Sequence, residues 1–143
     1  MARKNPEITM RSYGIYTPFD RESDELPHIV EFTDTIPARL GVEFGYILEI
    51  CKARGSLITF RIEHPPFEND SGQVAPPFEG EQYVRTPEWR FFLGDTVWEP
   101  PEDKVGTWTL TTWLDGEQIA RRSFELVPPE QAPDELVEAI PEE

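Results

Sequence analysis

Alternating apolar and polar residues along several short stretches of the chain predict β-strands. The alternation is clearest at residues 42–50, where every second side chain is apolar and Glu43 and Glu49 lie on the other side. Such a period of two is typical of a half-buried antiparallel strand. Residues 57–64 repeat the pattern, and the short connection at 53–56 predicts that the two strands pair as a hairpin.

A proline and a glycine interrupt the pattern between the strand predicted at 28–36 and the strand at 42–50. Pro37 has no N–H to give to a central ladder, and Gly41 can adopt a positive φ, so residues 37–41 are predicted to form a corner between strands. Arg39 points out of this corner. A surface arginine that hydrogen-bonds nearby carbonyl groups is the favoured interpretation, and an anion-binding arginine is the alternative.

Residues 106–126 predict a final hairpin around Gly116. A three-residue loop with Gly116 in the left-handed bulge position brings the apolar side chains to one face, whereas a two-residue turn would mix the apolar and polar sets. The predicted register places Leu110 opposite Ala120 and turns Trp113 outward, near the loop. The predicted inward-facing residues are Trp108, Leu110, Ala120, Phe124 and Leu126.

The stretch 65–81 contains four prolines and two glycines and has no period, so it is predicted to be a loop. A connection of this length inside a compact domain is usually functional or mobile. Phe67 and Phe78 each follow a Pro-Pro pair, and with Trp113 they are candidate partner-binding residues. The alternative is that Phe67 and Phe78 cover the open end of a β-core.

Proline content and the acidic C-terminal residues define the predicted domain organisation. The chain has 15 prolines in 143 residues, which argues against a helical bundle. We expect an N-terminal extension at 1–6, a β-sandwich domain at 7–127 and an acidic, proline-rich tail at 128–143. Within that tail, Leu136, Val137 and Ile140 allow a short amphipathic helix.

Net charge and cysteine content narrow the classes of partner and compartment. Thirteen basic and 28 acidic residues give 13 − 28 = −15, which repels nucleic acid and anionic lipid. Three explanations of this acidity are open: it keeps the protein soluble, it attracts a basic protein partner, or it is an adaptation to a high-salt cytoplasm. Cys51 is the only cysteine, and neither a leader-like apolar segment nor an apolar run of about 18 residues is present. We infer a cytoplasmic protein that does not insert into membranes.

Residue types that support catalysis or metal binding are sparse. The chain contains no phosphate-binding glycine loop, no Gly-x-Ser-x-Gly elbow and no His-Glu-x-x-His helix. His28, His64 and Cys51 could supply zinc ligands only if the fold brought them together. The carboxylate pairs Asp24-Glu25 and Glu102-Asp103 lie in acidic loops, where solvated charge is the favoured interpretation. No catalytic residue, cofactor or metal is therefore predicted.

Three segments together resemble a bacterial family known only as a domain of unknown function. They are RSYGIY at 11–16, TDTIPARLGVEFGY at 33–46 and GTWTLTTWLDGEQIARRSFEL at 106–126. The resemblance spans about residues 7–127, with IPARLG-x-x-FG as its most specific motif. It implies an immunoglobulin-like β-sandwich and no established activity. With the strand pattern, it predicts an all-β antiparallel sandwich of seven to nine strands.

Two functions from different classes are compatible with this sequence. The first is a non-enzymatic module that binds another protein through loop aromatics, a sheet edge or its acidic surface. The second is a small-molecule-binding or metal-binding domain, with or without enzymatic activity, whose site lies between the sheets or under loop 65–81.

Overall fold

Two β-sheets packed face to face make up the domain. The computed structural model describes residues 5–19, 25–69 and 71–131. In chain order the strands are β1 (Glu7–Tyr16), β2 (Ile29–Phe32), β3 (Thr35–Pro37), β4 (Glu43–Cys51), β5 (Leu57–Glu63), β6 (Phe78–Tyr83), β7 (Glu88–Thr96), β8 (Gly106–Leu114) and β9 (Glu117–Val127). Short 3₁₀ helices lie at Pro101–Lys104 and Pro129–Gln131.

The two sheets differ in size and share no strand. The first has the order β2-β1-β4-β7 and the second the order β3-β9-β8-β5-β6. The pairings are antiparallel except between β3 and β9, which run parallel. The predicted β-sandwich is thus confirmed. The predicted helix near Leu136 lies outside the described residues, and the domain boundaries stay a prediction.

The predicted hairpin between β4 and β5 is wrong, because the chain changes sheets between them. β4 pairs with β1 and β7, while β5 pairs with β6 and β8. Lys52 and Gly55 both have positive φ in the connection. Their N–H groups donate to the carbonyl oxygens of Pro87 and Val84, at 2.8 Å in each case. These bonds tie the crossing to the β6–β7 connection.

β4 is buried on both faces rather than half-buried as predicted. Its outward-facing Glu43 and Ile47 are only 1% and 8% exposed. A second apolar cluster on the outer face explains this burial, because Phe19 and Leu26 from the β1–β2 connection pack there. Alternation identified the apolar side of β4 correctly but could not show that a loop covers the polar side.

The corner predicted at 37–41 is confirmed. β3 ends at Pro37, Gly41 has a φ of 86°, and β4 begins two residues later. The strand predicted at 28–36 divides into β2 and β3, which belong to different sheets. Asp34 lies at this crossing, where its carboxylate accepts two hydrogen bonds from Arg122 at 2.6 and 3.0 Å. Asp34 therefore lies at the point where the chain passes from the first sheet to the second.

The predicted three-residue loop in the β8–β9 hairpin is wrong. Leu114 pairs with Glu117, so Asp115 and Gly116 form a two-residue turn with positive φ at both positions. The extra residue instead makes a bulge after Thr112, which places Leu110 opposite Arg122. Asp115 is fixed in the turn because its carboxylate accepts the Leu57 N–H at 2.8 Å. The bulge keeps Trp108 and Phe124 on the same inward face, as predicted.

A buried hydrogen bond joins the two sheets in the middle of the apolar core. The Tyr46 hydroxyl on β4 lies 2.6 Å from the Thr112 hydroxyl on β8, and neither side chain is accessible to solvent. Near this pair, Phe44 meets Trp108 edge to face at a centroid distance of 5.4 Å. The core is therefore packed with large side chains from both sheets.

Two buried tyrosines make stability depend on pH in the alkaline range. Burial raises the pKa of Tyr16 to about 12 and raises the pKa of Tyr46 further. In the unfolded chain both phenols titrate near pH 10, so above that pH the unfolded state holds fewer protons than the folded state. Stability is therefore complete below pH ~10 and is lost as the pH rises toward 12, by about 1.4 kcal/mol per pH unit for each tyrosine.

Urea unfolding of the parent and of Tyr16→Phe at several pH values between 9 and 11 checks this prediction. The variant starts from a lower stability because the Ser12 hydroxyl loses its partner at 2.7 Å. Its stability should nevertheless fall less steeply with pH, because one of the two titrating phenols is gone. Equal slopes in the two proteins would contradict the assignment.

Candidate functional site: the loop end

Several connections meet at the end of the sandwich where β5 ends and β4 begins. They are the segments that follow β3, β5, β7 and β9. The segment after β3 is joined by backbone hydrogen bonds to the end of β9, from Ala38 N–H to Val127 O at 2.7 Å, and to the segment after β7, from Gly41 N–H to Val97 O at 3.0 Å. We call this region the loop end. It combines an aromatic cluster, a buried lysine and an open cleft.

His64, the residue after β5, lies at the centre of the aromatic cluster. Its ring stacks on Phe67 at a centroid distance of 4.3 Å and lies 4.8 Å from Phe78 and 5.6 Å from Trp108. Its two ring nitrogens each lie 2.8 Å from a carbonyl oxygen, those of Pro65 and Pro76. In either neutral tautomer one ring nitrogen donates, so His64 ties the proline-rich loop to the core by one of these hydrogen bonds together with its ring contacts.

Lys104 fills a space between the aromatic rings and is only 1% exposed. Its Nζ lies 4.4 Å from the centroid of Trp98 and 4.8 Å from that of Phe67, which are cation–π distances. It also donates to the Pro100 carbonyl at 3.1 Å and to the Asp103 carboxylate. A buried ammonium needs such partners, so Lys104 anchors the 3₁₀ helix onto the cluster.

An open cleft of about 740 Å³ adjoins the 3₁₀ helix Pro101–Lys104. Its walls come from the 38–40 corner, the 3₁₀ helix and the segment that follows β9. Leu40 and Val105 make it apolar, while Arg39, Glu102 and Glu130 contribute charges. Arg39 is exposed at the corner and shares its cleft with glutamates, while its hydrogen bonds to nearby carbonyl groups stay a prediction.

The predicted partner-binding residues occupy three different settings. Phe67 is 8% exposed and belongs to the core. Phe78 begins β6, is half-buried and lies 5.9 Å from Trp98. Trp113 is half-buried near the β8–β9 turn, at the opposite end of the sandwich. The structure brings Phe67 and Phe78 together around His64 and leaves Trp113 apart.

The potential zinc ligands lie apart from one another. His64 is at the loop end with both ring nitrogens on carbonyl oxygens, while Cys51 ends β4 at the opposite end. Among residues 5–19, 25–69 and 71–131, no group of three His, Cys, Asp or Glu side chains is placed to hold a metal ion. Glu102 is exposed beside the cleft, Asp103 binds Lys104, and Asp24 lies outside the described residues.

Sequence reasoning missed Trp98 and Lys104. For Trp98 the available signal was the Pro100-Pro101 pair that follows it, much as proline pairs precede Phe67 and Phe78. For Lys104 the available signal was its isolation, because it is the single basic residue between positions 91 and 120. Neither signal shows that the two side chains meet, because their contact depends on how several connections pack together.

The fold and the family agree. The architecture is that of an immunoglobulin-like β-sandwich, and the chain belongs to the family described as domain of unknown function DUF3859, whose model matches residues 4–126. None of the curated proteins matches the chain. The family membership confirms the resemblance seen in the sequence and brings no activity with it.

Solved structures with a similar fold include an immunoglobulin-like protein from Pseudomonas aeruginosa. It is 24% identical, with a TM-score of 0.65, and the match covers 85% of this chain and 97% of that protein. An alkylpurine DNA glycosylase from Pseudomonas fluorescens, bound to DNA containing an abasic site analogue, is 14% identical with a TM-score of 0.42. That match covers 84% of this chain and 30% of the glycosylase. The first similarity shows the fold alone.

Proposed function

We propose that this domain is a non-enzymatic protein-interaction module and that its loop end binds the partner. The observation that carries the proposal is the set of exposed apolar side chains on the connecting segments that form the loop end. Val74 is 64% exposed, Leu40 is 48% exposed and Trp98 is 36% exposed. Exposed apolar groups grouped on a rigid base are typical of protein-binding surfaces.

The rigid base matters because ordering a surface on binding costs free energy. His64 fastens the proline-rich loop and Lys104 fastens the 3₁₀ helix, so the exposed rings and the cleft are held in place before a partner arrives. Phe78, beside Trp98, is the sequence-predicted residue that fits this surface best. Partner contacts through Phe67 and Trp113 stay predictions, since one is buried and the other lies at the far end.

The net charge of −15 favours a basic partner and disfavours nucleic acid. Added salt should therefore slow association, since exposed charges are screened beyond about 8 to 10 Å. A cytoplasmic location is proposed from the lone cysteine. In the described part of the chain, no helix has the length and apolar character needed to cross a bilayer. The alternative small-molecule site under loop 65–81 stays a prediction, and His64 and Phe67 occupy that space.

Affinity capture from the source cells with matched surface variants tests the proposal. We expect the parent to retain a partner that Val74→Asp and Trp98→Ala lose, because both changes alter the exposed surface of the loop end. Val74→Asp is the cleaner of the two, since Trp98 also contacts Lys104. Phe32→Ala is the control, since Phe32 is 53% exposed but lies on β2. A partner retained equally by all four proteins would place its binding site elsewhere.

A further inference from the structure

Strand β7 forms one edge of the four-stranded sheet. It pairs along its whole length with β4, and its other side faces no strand in the described part of the chain. Such an edge offers a row of N–H and C=O groups to any extended chain that lies beside it.

Hydrogen bonds at both ends of β7 show which backbone groups point outward. Val97 donates its N–H to Val42 O, and Pro87 O accepts the Lys52 N–H. Because successive residues point to opposite sides of a strand and the β4–β7 register has no bulge, odd-numbered residues face β4 and even-numbered residues face outward. The outward-facing residues in the middle of the strand are Arg90, Phe92 and Gly94.

Side chains already cap the two ends of this free edge. The Thr96 N–H donates to Asp95 Oδ1 at 2.8 Å, and the Thr86 hydroxyl donates to Glu88 O at 2.6 Å. Between these caps, nothing in the described residues hydrogen-bonds the outward backbone groups of Arg90, Phe92 and Gly94. An added strand would therefore find about three residues of β7 ready to pair.

A groove of about 790 Å³ runs beside this edge and could hold such a strand. Gln82, Thr86 and Trp89 lie along it, and Phe92 forms part of its wall. The Trp89 indole N–H is buried and has no hydrogen-bond partner among the described residues. An orphaned donor beside a groove that is already lined with backbone donors and acceptors points to a ligand rich in carbonyl oxygens.

The other edges of the two sheets are less suited to pairing. β2 and β3 have only four and three residues, and the outer strand β6 carries Glu79 and Glu81. Short strands and charged side chains are common protections against edge pairing. β7 also carries the charged residues Glu88, Arg90 and Asp95, but it has nine residues and the uninterrupted apolar run 91–93, so it is the longest of the four edges.

We propose that β7 binds an extended segment of a partner protein as an added β-strand and that this segment carries basic residues at its ends. Among the described residues that line the groove, the charged side chains are Glu25, Glu88 and Arg90, and Arg90 lies 3.5 Å from Glu49. A second copy of this chain is disfavoured, because each copy carries a charge of −15. The proposal goes beyond the loop end and uses none of its residues.

The test uses the full chain and a synthetic ten-residue peptide of alternating valine and threonine with a lysine at each end. Amide hydrogen exchange, followed by NMR with and without the peptide, reports on each backbone group of β7. We expect the amides of Arg90, Phe92 and Gly94 to exchange at least about tenfold more slowly when the peptide is bound. The amides of Phe91 and Leu93 already face β4 and should change little.

Peptide variants separate backbone pairing from charge. Methylation of alternate backbone nitrogens along the pairing side should weaken binding about tenfold, because those groups can no longer donate. Replacing the terminal lysines with glutamates should also weaken binding, and high salt should narrow that difference. A methylated peptide that binds as well as the parent peptide would overturn strand addition.

Two substitutions at one position serve as test and control in the protein. Arg90→Pro removes an outward-facing N–H and should weaken peptide binding about tenfold, whereas Arg90→Ala keeps that N–H and should not. If Arg90→Pro fails to fold, the amide exchange of the parent protein with and without peptide still shows whether the peptide pairs with β7. Unchanged exchange at saturating peptide would overturn the proposal, and so would protection confined to β6. If the β7 edge amides are already protected without peptide and the protein is a dimer, the strand that pairs with β7 is a second copy of this chain.

Discussion

Replacing Gly45 with alanine is expected to lower the free energy of unfolding by about 3 to 5 kcal/mol, a large part of the stability of a typical domain. Gly45 lies in the middle of β4 with a φ of +153°, which side chains rarely permit. A Cβ atom there would lie 2.1 Å from Leu93 O and 2.6 Å from the Cα of Gly94. Because these are backbone atoms, β4 and β7 would have to separate to make room.

Urea unfolding measured by circular dichroism checks the Gly45→Ala prediction, with Gly72→Ala as the matched control. Gly72 also has a positive φ, +78°, but a Cβ added there meets nothing within 4 Å. Its substitution should cost only about 1 to 2 kcal/mol of backbone strain. If both variants lose the same stability, backbone conformation rather than strand contact is what requires a glycine at position 45.

Replacing Trp108 with alanine is expected to lower the free energy of unfolding by about 3 to 5 kcal/mol, as for other buried large residues. Trp108 is 1% exposed, and its ring contacts Phe44 in the core and His64 at the loop end. Its indole N–H donates to Lys104 O at 2.8 Å. The substitution thus removes core packing and leaves a buried carbonyl without that donor.

Trp113→Ala provides the same chemical change in a different setting. Trp113 is half-buried and far from the loop end, so we expect a loss of about 1 kcal/mol or less. The two variants are compared by their urea midpoints. Equal losses would show that Trp108 does not join the core to the loop end as its contacts indicate. A stable Trp108→Ala variant that still binds the loop-end partner would contradict a need for a rigid base.

Apolar periodicity predicted which side of each strand faces the core, but it could not identify the strand's neighbours. Residues 42–50 and 106–126 show this clearly. The inward side of β4 and of the last hairpin was correct, yet β4 pairs with β1 and β7 rather than β5. A five-residue connection such as 52–56 can turn within one sheet or cross to the other, and the choice depends on bonds from Lys52 and Gly55 to residues about 30 positions later.

The candidate site was predictable only in part, for a similar reason. Proline pairs drew attention to Phe67 and Phe78, and the structure does place both rings at one end of the sandwich. The cation between the rings, Lys104, follows from the packing of a 3₁₀ helix that no periodicity predicts. The free edge of β7 was also beyond the sequence, because an edge is a property of the whole sheet order.

The parallel pairing of β3 with β9 has a consequence for how the protein is made. Thr35 pairs with Glu125, which lies 125 − 35 = 90 positions later in the chain. At a ribosomal rate of about 5 to 20 residues per second, β3 waits roughly 5 to 20 s for its partner to be synthesised. The first sheet can assemble once β7 has emerged, whereas the second cannot close before β9 does. Folding during translation is therefore expected to proceed sheet by sheet, with the apolar inner face of the first sheet open to chaperones in the interval.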